Sequence, residues 1–331
     1  DSYILPFTRY HSRYTQITED DFQYDEYLES FKGFEPKWGS TGTTEFVEPN
    51  IENVTEETAI SEKAERYYRK YIELCMEENI PLLLTCAPYM IEEDAQGIYN
   101  YMFSIAEEYG VPYLDFNKLY DELGLVFTED MCEWSHLNEK GNVKYTTYLG
   151  NYIKENYEIP DRRGDENYVT WQQDADRWTQ ELNLYNLPGI KDAEEFISLL
   201  DNPYYTVIVT INEGNDFSVM SNEVETALAA IGISQETLAQ KTAVVKDEQV
   251  LFQSSEEEYE WYTSLKKGDI IVNGILEENE ENITAANRIY INGTEYSTTG
   301  SPLVITVYDN LLNTRIGTIG LIPEDGYSTI Q

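Results

Sequence analysis

The first half of the chain alternates between two apolar periods. Residues 53–56, Asn-Val-Thr-Glu, have a capping-box sequence, and apolar residues then recur at helical spacing. The apolar positions of this predicted helix are Ile60, Ala64, Tyr67, Tyr71, Leu74 and Cys75. Short apolar runs at 82–86 and 111–116 predict buried strands, and the helical pattern over 92–109 between them ends at Gly110. Helices that alternate with short strands in this way predict βαβ units and a parallel sheet.

The second half of the chain has a different pattern, with short runs of β-branched and aromatic residues from residue 204 onward. Strands are predicted over residues 205–211, 243–250, 269–276, 288–296, 303–308 and 315–321. One helix is predicted over 222–231, ending at Gly232. Asn292-Gly293 is a favoured two-residue hairpin turn. This half is therefore expected to be a strand-rich α+β domain.

The two patterns are separated by aromatic residues at helical spacing, which predict a helical connector. A chain of 331 residues is more typical of two domains than of one. The sequence predicts an α/β domain over residues 1–165, the connector over 166–200 and the strand-rich domain over 201–331.

The charge balance restricts the kinds of partner. The formal net charge is −40, from 62 acidic and 22 basic residues, which argues against nucleic acid and anionic membrane surfaces. No uncharged apolar run approaches the roughly 18 residues of a membrane span. No cofactor or metal is expected, because no metal-ligand spacing is present; bound calcium stays open, since acidic runs such as 277–281 are usually solvated. Cys75 and Cys86 are expected to be buried, and Cys132 to be exposed.

Residues 133–141, Glu-Trp-Ser-His-Leu-Asn-Glu-Lys-Gly, carry the strongest candidate chemistry. His136, one of two histidines in the chain, has an acid three residues before it and the helix N-cap residue Asn138 two residues after it. An imidazole titrates near neutrality, and Glu133 could fix its tautomer, so the pair suits a general base. In a chain this acidic, a surface histidine beside an incidental glutamate is the alternative interpretation.

Two further sets of residues are site candidates by position. Asp115 directly follows a predicted parallel strand, where ligands collect, so it either supports the site or caps the next short helix. Arg9, His11 and Arg13 form an isolated basic cluster that either binds a carboxylate or phosphate group of a ligand or pairs with local acids.

The block from Glu133 to Gly141 resembles the last sequence block of the SGNH (GDSL-type) hydrolases, in which an Asp three residues before the catalytic His completes a Ser-His-Asp triad. Residues 80–88 resemble an inner strand of that fold, and 110–116 resemble the strand that leads toward the triad block. Residues 9–13, 32–34 and 149–165 are similar to segments of a Firmicutes cell-surface subgroup. The resemblance implies the C-terminal part of a flavodoxin-like parallel sheet with flanking helices. The acid here is Glu rather than Asp. The family's Gly-Asp-Ser nucleophile block and its oxyanion-hole blocks are not found, and the resemblance places them before Asp1.

Residues 290–297 and 304–309 are similar to the lectin-like ILEI domain family. This second resemblance implies a β-sandwich-like binding or spacer module. The expected function is an extracytoplasmic SGNH-type esterase or O-acyltransferase that acts on, or assists modification of, cell-surface polysaccharide. A catalytically inactive scaffold and a glycan-binding structural surface protein are the alternatives. The expected partners are a surface polysaccharide or acylated glycan and a membrane acyltransferase. The protein is expected at the cell surface, anchored through a segment outside this chain.

Overall fold

The computed structural model describes residues 31–42, 45–51, 53–212, 216–278, 283–296, 301–328 and 330. The chain divides into two compact units, residues 1–162 and 163–331. Arg9, His11 and Arg13 lie outside the described residues. Both helices and strands are present, so the expected mixed α/β class is confirmed at that level. No helix in the described ranges combines the length and apolarity that a membrane crossing needs.

The first unit contains five helices and four short strands within its described residues. The helices are α1 (Glu62–Glu77), α2 (Glu93–Glu108), α3 (Tyr120–Leu123), α4 (Phe127–Asp130) and α5 (Glu139–Asn156). The strands are β1 (Leu84–Cys86), β2 (Tyr113–Asp115), β3 (Met131–Glu133) and β4 (His136–Leu137). Strands β1 and β2 pair in parallel, with Leu84 opposite Tyr113 and Cys86 opposite Asp115, as the alternating pattern predicts. Strands β3 and β4 form a separate antiparallel hairpin.

Helix α1 differs from the prediction in both its start and its buried face. Ser61 is its N-cap and accepts a hydrogen bond from the Ala64 N–H at 3.2 Å. Ile72 and Cys75 are buried, whereas three of the predicted inward residues are more than half exposed: Tyr67, Tyr71 and Leu74. The capping-box prediction for residues 53–56 is wrong because this segment is held extended along α2. There the Asn100 amide donates to the carbonyls of Val54 and Glu56, each at 3.0 Å.

The core of the first unit lies under α5. Its buried apolar residues are Ile51, Ile91, Phe116, Tyr120, Leu123, Leu125, Phe127, Met131 and Leu137. Phe116 directly follows β2 and is fully buried, with Tyr145 and Tyr148 of α5 packed edge-on against its ring at 4.8 and 5.7 Å. These contacts fix α5 against the segments that follow the parallel strands.

The second unit contains four helices and nine strands within its described residues. The helices are α6 (Val169–Asn186), α7 (Ala193–Ser198), α8 (Asn222–Ala230) and α9 (Gln235–Leu238). The strands are β5 (Tyr205–Ile211), β6 (Thr242–Lys246), β7 (Gln249–Ser254), β8 (Tyr259–Leu265), β9 (Gly268–Glu278), β10 (Ile283–Ile291), β11 (Thr294–Glu295), β12 (Leu303–Asp309) and β13 (Thr314–Leu321). They form two antiparallel sheets, ordered β13-β12-β5-β6-β7 and β11-β10-β9-β8.

Three details of this unit differ from the sequence expectations. The single strand predicted over 243–250 is a hairpin, because Asp247 and Glu248 both adopt positive φ and reverse the chain. Strand β8 was not predicted. The segment 166–200, expected to be a connector, belongs to the second unit and contributes apolar residues to its core: Leu187, Ala193, Phe196, Ile197 and Leu200.

Candidate functional site

Glu133 and His136 face each other across the β3–β4 hairpin. They are register partners on either side of the two-residue turn Trp134-Ser135. Residues paired across an antiparallel ladder project their side chains to the same face. The Glu133 Oε1 atom consequently hydrogen-bonds the His136 Nδ1 atom. The three-residue spacing read from the sequence thus corresponds to a tight hairpin, and the helix begins only after it, at Glu139.

Ser135 is a third member of this group, and no motif or spacing in the sequence points to it. Its Oγ lies 2.9 and 3.1 Å from the two Glu133 oxygens, and its backbone N–H donates to Oε2 at 3.1 Å. An ionised carboxylate only accepts hydrogen bonds, so the Ser135 hydroxyl donates to it. The same hydroxyl lies 3.0 Å from His136 Nδ1. A serine bonded in this way orients the acid.

The electrostatics of the pair favour an ionised Glu133. Partial burial on its own would raise the pKa of Glu133, but hydrogen bonds from His136 and Ser135 lower it further than burial raises it. The net pKa of Glu133 lies below its ordinary value of 4.5. A carboxylate that stays charged at neutral pH stabilises the protonated imidazole beside it.

The imidazole is open to ligands on its other side. The His136 side chain is 59 % exposed, whereas the Glu133 side chain is 24 % exposed. Within the part of the chain that the structure describes, His136 Nε2 makes no hydrogen bond. The ring therefore has one nitrogen held by the acid and one available to a substrate or to an incoming hydroxyl.

Asn138 fixes the junction between the hairpin and α5. Its Oδ1 accepts hydrogen bonds from the N–H groups of Lys140 at 2.9 Å and Gly141 at 3.1 Å, so it is the N-cap that the sequence indicates. Its Nδ2 donates to the Glu129 carbonyl at 2.6 Å, and the side chain is only 2 % exposed. Asn138 thereby holds the start of α5 and the end of α4 to the strand that carries His136.

The hairpin lies beside the carboxyl end of β1. The N–H of Met90, in the segment after β1, donates to the Trp134 carbonyl at 2.9 Å. The rings of Tyr89 and Trp134 pack edge-on, with centroids 6.5 Å apart. Because ligands of parallel sheets bind beyond the carboxyl ends of the strands, His136 is at a favourable position for chemistry.

Asp115 performs the capping role. Its Oδ1 accepts the Asn117 N–H at 3.1 Å and caps the 3-10 helix Phe116–Lys118, while Oδ2 accepts the Gln96 amide at 2.5 Å. Asn117, to which no sequence pattern points, has the greater influence on the site. It is 1 % exposed, and its Oδ1 accepts the Tyr89 N–H at 3.1 Å, which fixes the segment in contact with Trp134.

Residues 35–42 form a further wall near the hairpin. The Gly39 N–H donates to Glu139 Oε2 at 2.7 Å, and the Thr41 N–H donates to the Cys132 carbonyl at 2.9 Å. A hydrogen bond to Lys37 is the main cause of the lowered pKa of Glu35, and His136 contributes a smaller Coulombic effect. The electrostatic effect of His136 therefore reaches this segment.

The structure does not support a catalytic thiol near the hairpin. Cys132 is 8 % exposed, which corrects the expectation that it is exposed, and burial raises its pKa, so its reactive thiolate form is disfavoured. Cys75 and Cys86 are buried as predicted. Among the described residues, no three His, Cys, Asp or Glu side chains are grouped to hold a metal ion.

Compared with protein-family models, with curated proteins and with solved structures, the chain matches none of them. The functional assignment therefore depends on the geometry of the hairpin.

Proposed function

We propose that this protein is an extracytoplasmic SGNH-type esterase or O-acyltransferase that acts on cell-surface polysaccharide or assists its modification. One observation carries the proposal: Glu133 bonds Nδ1 of an imidazole whose Nε2 is accessible and makes no bond within the described residues. This is the arrangement that a general base of a Ser-His-acid triad requires.

His136 Nε2 removes the proton of a serine hydroxyl as its oxygen attacks the acyl carbonyl. The tetrahedral intermediate collapses to an acyl-serine, and His136 returns the proton to the departing sugar oxygen. A water molecule or a second sugar hydroxyl then attacks the acyl-serine with His136 again as the base, giving hydrolysis or acyl transfer. The serine belongs to a part of the protein outside the described residues.

Glu133 holds the imidazole in the tautomer that leaves Nε2 free and stabilises the imidazolium that forms in each step. Ser135 and Asn138 position this pair through the bonds to Glu133 and to the start of α5. No metal or cofactor takes part in this reaction scheme.

The proposed fold of the first unit is a flavodoxin-like sheet of the SGNH type, in which β1 and β2 are neighbouring inner strands. Their parallel pairing and the position of the hairpin at the carboxyl end of β1 support this assignment. We place the protein at the cell surface, anchored through a segment outside this chain and acting with a membrane acyltransferase. The second unit is then a binding or spacer module.

The test measures acetate release from an O-acetylated polysaccharide by the full-length protein. His136→Ala should lower kcat/KM by about 10³-fold or more, and Glu133→Gln should lower kcat with little change in KM. Glu129→Gln is the matched control, because it makes the same chemical change on an exposed carboxylate of the same unit.

Unchanged turnover in His136→Ala would refute the triad assignment. If the wild-type protein releases no acetate but binds the polysaccharide, the alternative holds, namely a catalytically inactive scaffold that presents glycan to another enzyme.

A further inference from the structure

Trp134 occupies the first position of the turn that joins Glu133 to His136, and the residue is 59 % exposed. Single exposed apolar residues are common on protein surfaces and need no explanation by themselves. Trp134 differs from such residues in two respects: it lies between the two members of the dyad, and its position is fixed by contacts with a second segment.

The contacts of Trp134 come from residues 87–91, after β1. Its carbonyl accepts the Met90 N–H at 2.9 Å, and the edge-on Tyr89 ring, at an interplanar angle of 63°, supports one side of the indole. Tyr89 is in turn packed edge-on against Tyr99, with centroids 6.5 Å apart, and its N–H is bound by buried Asn117. A large aromatic surface is thus held rigidly while more than half of it stays in contact with solvent.

We propose that Trp134 is a stacking platform for a neutral pyranose ring of the polysaccharide, which it holds beside His136. The inference deepens the proposed function and rests on it, because the ring that Trp134 binds is the one that carries, or lies next to, the acyl ester. An indole face carries negative charge density, and the C–H groups of a sugar face complement it while burying apolar surface.

The negative charge around the hairpin favours neutral sugars over anionic ones. Glu133 belongs to the hairpin itself, nearby Glu35 is paired with Lys37 at 2.8 Å, and the chain as a whole carries a net charge of −40. An anionic sugar such as a uronate would be repelled, whereas a neutral ring would not. The ligand class is therefore a neutral hexopyranose chain.

The test is binding of three hexasaccharides to the 331-residue protein by isothermal titration calorimetry: cellohexaose, chitohexaose and hexagalacturonic acid. At least one of the two neutral probes should bind, and hexagalacturonic acid should not. Trp134→Ala should weaken that binding about tenfold, and Trp134→Tyr should restore most of it. Trp171→Ala is the matched control, since Trp171 is also 59 % exposed but belongs to the second unit.

A second measurement observes binding in the wild-type protein itself. The indole N–H resonance of Trp134 in the wild-type protein, assigned as the one missing from Trp134→Phe, should shift on addition of the neutral hexasaccharide. The platform is refuted if that resonance does not move, if Trp134→Ala binds as tightly as wild type, or if the wild-type protein binds neither neutral probe.

Failure of the platform and failure of the proposed function have different signatures. His136→Ala should keep the neutral-sugar affinity, because it removes a base and leaves the indole in place. If Trp134→Ala retains binding while His136→Ala abolishes turnover, the platform is wrong and the triad stands. If Trp134→Ala loses binding while His136→Ala keeps full turnover, the triad assignment is wrong and the platform stands.

Discussion

The main-chain carbonyl of Asp130 lies against Gly141 so closely that a Cβ at position 141 would be 2.3 Å from its oxygen. Gly141 is in the first turn of α5, and Asp130 is the last residue of α4. The approach lets the Asn138 N–H donate to the same Asp130 carbonyl at 2.9 Å, which links the hairpin to both helices. The absence of a side chain at 141 is therefore a condition for the position of His136.

Gly141→Ala should destabilise the first unit by about 2–4 kcal/mol, since backbone atoms cannot move aside as a flexible side chain can. Gly150→Ala, in the same helix, is the control: a Cβ there meets nothing within 4 Å, and alanine should stabilise the helix by up to about 1 kcal/mol. Urea unfolding measures both. Equal effects of the two substitutions would contradict the packing described for Gly141.

Ser135→Ala should raise the pKa of Glu133, because it removes a hydrogen bond that favours the ionised form. The folded-state pKa of Glu133 is lowered, so its stabilising effect is present above the unfolded pKa and is lost as pH falls through the folded value. In Ser135→Ala this loss should be complete at a higher pH and smaller in total.

The measurement is a ¹³C NMR titration of the Glu133 carboxyl carbon in the two proteins, with Ser135→Thr as a variant that keeps a hydroxyl. A Glu133 pKa that is the same in Ser135→Ala and wild type would show that the hydroxyl does not act on the acid.

Asn138→Ala should cost about 1–3 kcal/mol, since it leaves the N–H groups of Lys140 and Gly141 and the carbonyl of Glu129 without their partner. Asn138→Asp keeps the N-cap acceptor and loses only the amide donor, so its cost should be smaller. Thermal unfolding ranks the three proteins. A loss in Asn138→Asp equal to that in Asn138→Ala would mean that the cap contributes little.

Asp309 makes the stability of the second unit depend on pH in the direction opposite to that described for Glu133. It is fully buried, and burial raises its pKa more than the N–H groups of Leu312 and Leu311 lower it. A carboxyl with a raised folded-state pKa takes up protons on folding, so stability falls as pH rises from the ordinary value of 3.8 to the raised one.

Asp309→Asn should flatten this dependence while keeping an acceptor for the two N–H groups, and Asp309→Ala should cost about 2–3 kcal/mol through their loss. Hydrogen exchange of the β12 amides between pH 4 and 7 measures the stability of the second unit separately from that of the first. A slope in Asp309→Asn as steep as that of wild type would exclude Asp309 as its source.

The parts of the fold with regular apolar periods could be predicted from the sequence. Helix α2 and strands β1, β2, β5 and β12 lie within about two residues of their predicted bounds. Strands β5 and β12 are buried throughout, whereas β1 and β2, predicted as buried strands, are only partly buried. The apolar stripe of α1 predicts the wrong buried residues for a physical reason. Periodicity shows that a helix has an apolar face, but it does not show that other parts of the protein pack against all of that face. Strand β8 alternates between half-buried and exposed residues. It directly follows the acidic residues 256–258, so its short alternating pattern does not stand out from a polar segment.

The candidate site was only partly predictable. The spacing of Glu133 and His136 indicates that they can meet, but residues three apart are neighbours both on a helix and across a two-residue hairpin, so spacing alone does not distinguish them. The contributions of Ser135 and Asn117 depend on hydrogen bonds across turns that have no periodic signal. For Asp115 the sequence leaves two alternatives, support of the site or capping of the next helix. Its hydrogen bond from the Asn117 N–H shows that it is a cap.

The pairing of Glu133 with His136 depends on the number of residues in the turn between them, which is two. Adding or deleting one residue between them would turn the imidazole to the opposite side of the ribbon and part it from its acid. Either turn position can accept a different amino acid without that reversal. Proteins that share this hairpin should therefore keep two residues between the acid and the histidine.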